Sequence, residues 1–161
     1  MPTWKSAVCR ASVSGSLAAL LSGIALAICG KLENDAPAGP LNGPSQWIWG
    51  QRSAYRRRAS WRTVASYCIH HVVSIGWAAV HEKHVASLIQ DKPLAVRLVG
   101  AGITSAIACG VDFGVAKGRM QPGFDKQLTP LSLLLVYSAF ALGLALPTRS
   151  GRRRRPARIN R

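Results

Sequence analysis

All four histidines of this chain lie in one segment, YCIHHVVSIGWAAVHEKH (67–84), which is otherwise apolar enough for a bilayer. Histidine titrates near neutral pH, relays protons and ligates metals, so this cluster is the first chemistry the sequence offers. On a helix, His70, Ser74, Trp77, His81 and His84 follow at intervals of 4, 3, 4 and 3 residues and share one stripe. His71 and Glu82 lie together on the adjoining face. Polar groups are costly in lipid, so such a stripe is expected to face a bundle interior or a wet cavity.

The next apolar segment carries Arg97 near its start and Asp112 near its end. An antiparallel pairing of the two segments, turning near residues 87–90, sets Glu82 level with Arg97 and His70 or His71 level with Asp112. The expected polar cluster is therefore His70, His71, Ser74 and Asp112, with Glu82–Arg97 as an ion pair. Three chemistries fit. In the leading one these contacts only hold two helices in register. In the second, the His/Asp cluster handles a proton or a small solute. In the third, His81 and His84, at i and i+3 beside Glu82, bind a metal or haem. The HEKH run lacks the H-E-x-x-H spacing of zinc proteases, and His70 and His81 stand about 16 Å apart along a helix, too far for one metal ion. No metal or cofactor is predicted. Cys9, Cys29, Cys68 and Cys109 have no CxxC spacing. No P-loop, dinucleotide fingerprint or nucleophile elbow occurs, so no catalytic residue is assigned.

The elements that must position these residues are apolar segments of about 20 residues, the length that crosses a hydrocarbon core. Four occur, at 11–29, 63–80, 94–116 and 130–146, and the first and last carry no charge. The expected fold is an all-α integral membrane protein with four transmembrane helices. A soluble four-helix protein is the competing fold, weakened because the first and fourth segments have no polar stripe. The first segment also resembles a secretory signal, with Lys5 and Arg10 ahead of it, but Ala36-Pro37-Ala38 is a poor cleavage site. It is read as a retained span.

Between the first two spans, the surface loop 30–62 holds Pro37, Pro40 and Pro44, which forbid a continuous helix, and Trp47, Trp49, Tyr55 and Trp61, which favour the headgroup level. Further on, Gln121-Pro122-Gly123-Phe124 reads as a turn with Pro at i+1 and Gly at i+2. Thr129-Pro130 reads as a helix N-cap followed by proline at the first helical position. In the third span Gly102, Ala106, Gly110 and Gly114 recur every four residues, a row that lets another helix approach closely, including one from a second copy of the chain. Ala139 and Gly143 are a shorter version in the fourth.

The formal charge is +15, with only six acidic residues, and the basic residues sit in blocks between apolar runs. A short basic N-terminus (1–10) and an arginine-rich tail (147–161), expected to be disordered, flank the membrane domain. Lys5, Arg10, Lys83, Lys92, Arg97 and seven tail arginines fall on one side, twelve in all, against nine on the other. That balance favours cytoplasmic termini, although Arg56–Arg58 and Arg62 abut the second span on the opposite side. The tail's arginines serve as a topological signal and can attract anionic lipid. No aromatic interleaving or folded motif points to nucleic acid.

The combination GPLNGPSQWIWG (39–50), IHH..S..W....E (69–82), VDF (111–113), QPGFD (121–125) and VYSAFALGLAL (136–146) resembles a group of small bacterial inner-membrane proteins without an established activity. The resemblance covers most of residues 15–146. It implies four spans with a proline–tryptophan loop after the first, and location in the inner membrane. Arg56–Arg58 and the arginine tail are not features of that group. The functional expectation is a non-enzymatic structural, accessory or interaction protein of the bilayer.

Overall fold

The Thr3 hydroxyl accepts the Ser6 N–H at 3.3 Å and opens helix α1, Trp4–Asn34. No proline or strong breaker follows until Asp35 takes a left-handed conformation (φ 52°) and its N–H reaches the carbonyls of Gly30 and Lys31. The helix therefore runs past the segment 11–29 at both ends. Helix α2, Trp61–His81, continues through a π-helical turn, Glu82–Ala86, and a last turn, Ser87–Ile89. Helix α3, Leu94–Gly110, follows Pro93 and also ends in a π-helical turn, Val111–Val115. Helix α4, Pro130–Ala145, is capped by Thr129, whose hydroxyl accepts the Ser132 N–H at 3.4 Å. The computed structural model describes residues 2–146, and among them the chain is all-α, with no strand. The arginine-rich tail lies outside the described residues.

Helix α1 is the centre of the bundle. It packs on α2 along one flank and on α4 along the other, while α3 lies against α4 and meets α2 chiefly near the 87–93 turn. Small side chains permit this: Ala11, Ser14, Gly15, Ala18, Ala19, Ser22 and Gly23 are all buried on α1. A Cβ added at Gly15 would stand 2.7 Å from Ile75 Cα, and one at Gly143 would stand 2.3 Å from Ala18 Cα. Both are approaches of one backbone to another that a side chain would block. The row on α3 is placed differently. A Cβ at Gly102, Gly110 or Gly114 meets nothing within 4 Å, and Ala106 is exposed, so among the described residues that row makes no close helix crossing.

Burial is inverted relative to a water-soluble bundle. The interior is rich in alanine, glycine and serine, with Leu26, Val136, Phe140 and Leu144 among them, whereas Val13, Leu20, Ile24, Val72, Ile103, Ile107, Leu131, Leu134 and Leu135 point outward. Outward apolar side chains in such number are the kind of surface that marks contact with a membrane or a protein partner. Three helical stretches, Trp4–Asn34, Trp61–Ile89 and Leu94–Val115, are long and apolar enough to cross a membrane. Pro130–Ala145 is equally apolar but has 16 residues, about 24 Å against a hydrocarbon core of roughly 30 Å.

One end of the bundle is capped. With α1 running to Asn34 and α2 starting at Trp61, the loop expected over 30–62 is confined to 35–60; it forms helical turns at Ala38–Leu41, Gly43–Ser45, Gln46–Trp49 and Gln51–Tyr55, and buries Pro40, Asn42, Pro44, Ser45 and Gln46. It docks on the connection between α3 and α4. The Gln46 and Trp47 side-chain N–H groups donate to Gln121 O (2.5 and 2.9 Å), Gln127 Nε2 donates to Gly39 O (2.9 Å), and Arg119 donates to Trp47 O (2.9 Å). Gly123, third in the Gln121–Phe124 turn, has φ 77°, and a Cβ there would stand 2.8 Å from Gly43 O. Glu33 closes the cap by accepting from the Thr129 N–H (2.9 Å), the Thr129 hydroxyl (2.6 Å) and the Ser132 hydroxyl. A carboxylate at a helix N-terminus also complements the helix dipole.

Candidate functional site

Helices α2 and α3 touch where the His81 ring meets the Thr104 hydroxyl (Nδ1 to Oγ1, 2.9 Å) and diverge toward the cap. The cleft that opens between them is walled by His70, Ser74 and Trp77 of α2, Asp112 in the turn after α3, and Tyr137 of α4. Ser22 of α1 borders it, and Trp47 and Phe124 of the cap roof it. Most of the lining is apolar, so the few polar groups define what it can recognise.

The helix order decides their partners. His70 Nε2 lies 3.0 Å from Ser22 Oγ, and His71 Nε2 lies 2.9 Å from Ser16 Oγ, both on α1. The two hydroxyls already donate to carbonyls one turn back, Ser22 to Ala18 O (2.7 Å) and Ser16 to Ser12 O (2.6 Å). Each imidazole is therefore the donor in its contact with serine. Phe124 meets the His70 ring edge-on, with centroids 5.8 Å apart. Asp112 accepts from the Tyr137 hydroxyl at 2.5 Å, and Ser105 donates to Tyr137 O at 2.7 Å, tying α3 to α4.

The sequence set His70 or His71 against Asp112 and Glu82 against Arg97. Among the described residues neither contact forms. His70 and Asp112 do line the same cleft, from different helices, while His71 turns away toward Ser16. Glu82 instead accepts from Arg10 Nε (3.1 Å) and from the Ser14 hydroxyl (3.0 Å). The physical reason is register. The His81–Thr104 contact sets Arg97 level with residue 88, six residues beyond Glu82, which is about 9 Å along a helix. Glu82 and Asp112 each sit in a π-helical turn, which widens the helix and re-aims the side chain relative to an α-helical wheel.

His81 is held by Thr104, and His84 stands edge-on to Trp4 with centroids 5.8 Å apart. Among the described residues no three His, Cys, Asp or Glu side chains are grouped so that they could hold a metal ion. The four cysteines are free thiols, with Cys29 buried. Ser22 and His70 form a serine–histidine pair, yet the serine proton is committed to Ala18 O. The neighbouring amides belong to a continuous helix, so none is free to stabilise an oxyanion. The arrangement suits binding and helix association better than acyl transfer.

Ser14, Ser16 and Ser22 of α1, Arg10 and Tyr137 are the partners that sequence reasoning missed. Their signal is present in ASVSGSLAALLSG (11–23), where the serines recur among small residues on both flanks of one helix. Comparison with protein-family models, curated proteins and solved structures finds no match to this chain.

Proposed function

We propose that this chain is a four-span protein of a bacterial inner membrane with both termini cytoplasmic, and that it acts as a non-enzymatic structural, accessory or interaction component. One observation carries this reading: six side-chain contacts between polar groups deep in the helices tie one helix to its neighbour. Arg10 and Ser14 engage Glu82, Ser16 engages His71, Ser22 engages His70, Thr104 engages His81, and Tyr137 engages Asp112. In lipid, hydrogen bonds between helices and close packing of small residues hold spans together, and this bundle uses both. The outward Val, Leu and Ile side chains supply the lipid contact, and the cap completes the short fourth span at the headgroup level. The tail's arginines add attraction to anionic lipid.

The cleft favours a second reading, a proton-coupled or small-solute transport protein that uses His70 and Asp112 on its walls. Asp112→Asn separates the two. In the structural reading Tyr137 loses its charged acceptor, the purified protein is destabilised by about 1–2 kcal/mol, and its level in membranes falls. In the transport reading the level is normal and a pH-dependent flux into vesicles is lost.

A further inference from the structure

We infer that the end of the bundle opposite the cap binds a phosphate-type oxyanion between Arg10 and Arg97. A cavity there is lined by Arg10 of α1, His81 and Glu82 at the end of α2, Gln90 of the turn, Arg97 of α3 and Leu146 after α4. Two guanidinium groups share this cavity with one carboxylate. Glu82 is already engaged on both oxygens, by Arg10 Nε at 3.1 Å and by the Ser14 hydroxyl at 3.0 Å. Arg10 also donates to Ser6 Oγ at 3.0 Å. Arg97 has neither contact, and its Nε is shielded from water with no hydrogen-bond partner among the described residues.

A buried guanidinium N–H without an acceptor is an unfavourable arrangement that an added acceptor relieves. The guanidinium fork matches the oxygens of a phosphate group bidentately, and two arginines facing one cavity match it better than one. The charge of this end agrees. Lys5, Lys83 and Lys92 lie nearby in the chain, Lys83 donating to Pro2 O at 2.7 Å, and Asp91, exposed on the turn, is the one other carboxylate here. The cavity opens within the first turns of α1 and α3, where both a phospholipid headgroup and a phosphate ion in water can reach it. The shared ligand chemistry is a tetrahedral oxyanion; the source is what the experiment separates.

The test uses the full chain in a mild detergent, with thermal stabilisation measured against added phosphatidylglycerol and, separately, against inorganic phosphate at constant ionic strength. At least one probe is expected to stabilise the protein saturably, and Arg97→Gln to weaken that probe by about tenfold, the effect of losing one charge-assisted bidentate contact. Arg57→Gln, on the capped end, is expected to leave it unchanged. If phosphatidylglycerol saturates and inorganic phosphate does not displace it, the source is lipid; if inorganic phosphate saturates and displaces the lipid, the source is the free ion. The inorganic arm needs no bilayer, so its result does not depend on the membrane reading. The Arg97 side chain makes no hydrogen bond among the described residues, so Arg97→Gln is expected to fold. Should it not, Arg97→Lys keeps the charge without the fork and is expected to bind several-fold more weakly. Equal affinity of both probes for the wild type and for whichever Arg97 variant folds overturns the proposal.

Discussion

Replacing Gly143 with alanine adds one methyl group at the closest backbone crossing of the bundle. The new carbon would lie 2.3 Å from Ala18 Cα and 2.6 Å from Ala18 N, where ordinary contact begins at 3.4 Å. The neighbour is backbone and cannot rotate away, so α4 and α1 must part by about 1 Å, which places the cost near the upper end of the ~1–3 kcal/mol typical of overpacking. Alanine's better helix propensity offsets about 1 kcal/mol, leaving a net destabilisation of about 2 kcal/mol, or roughly 30-fold in the unfolding equilibrium. Gly102→Ala is the matched comparison: it adds the same methyl where nothing lies within 4 Å, and is expected to be neutral or slightly stabilising. Both variants are read in the full chain in detergent by denaturant unfolding, followed through the five tryptophans. The reasoning is refuted if Gly143→Ala unfolds with the wild type. It is equally refuted if Gly102→Ala falls as far, because the Gly102–Gly114 row would then be the face that holds the protein together.

A double-mutant cycle on Arg10 and Glu82, whose side chains are 23% and 7% exposed, is expected to give a coupling of about 1–3 kcal/mol, while the cycle on Arg97 and Glu82 gives close to zero. Reversal of that order would restore the partnership inferred from sequence. In sealed vesicles, cysteines introduced at Arg57 and Lys117 are expected to react with a membrane-impermeant maleimide from one side, and one at Lys92 from the other. A shared side for all three contradicts the four-span arrangement. Lys31 beside Asp35 holds that exposed carboxyl below its usual range, first through its hydrogen bond and then through its charge. The resulting stabilisation is present above the carboxyl's unfolded-state value and disappears as pH falls through the lower folded-state value. Lys31→Gln is expected to move the Asp35 titration upward in an NMR pH series; an unmoved midpoint removes the lysine from the account.

Local structure was legible where one residue type has one job. Thr129-Pro130 marks the start of α4 because a hydroxyl at the cap and a proline just inside are what a helix N-terminus accepts. Gly123 marks its turn because φ 77° there excludes side chains. The site was less legible. His70, Ser74 and Asp112, which helical spacing and depth bring together, do line one cleft, but the hydrogen-bond partners of His70 and Asp112 come from elsewhere. Pairing helices by their order in the chain put α2 against α3, whereas small residues on both flanks of α1 draw α2 and α4 onto it. Apart from Arg10, nothing charged marks α1 as central, because the rest of its contribution is absence of bulk at Gly15, Ala18 and Gly23 together with three serine hydroxyls. The π-helical turns at Glu82 and Asp112 shift side chains off the regular wheel, and no residue type announces them.

The central place of α1 has a consequence for biogenesis. The helix made first among those described finds one partner as soon as α2 emerges, but its other flank, which receives Gly143, stays bare until α4 is synthesised. Assembly of the bundle is therefore completed only after translation of residue 145, and a chain truncated before Pro130 leaves a groove of glycine and alanine backbone along α1. On the membrane reading proposed above, such a truncated product is expected to be a substrate for quality control even though its other helices are intact.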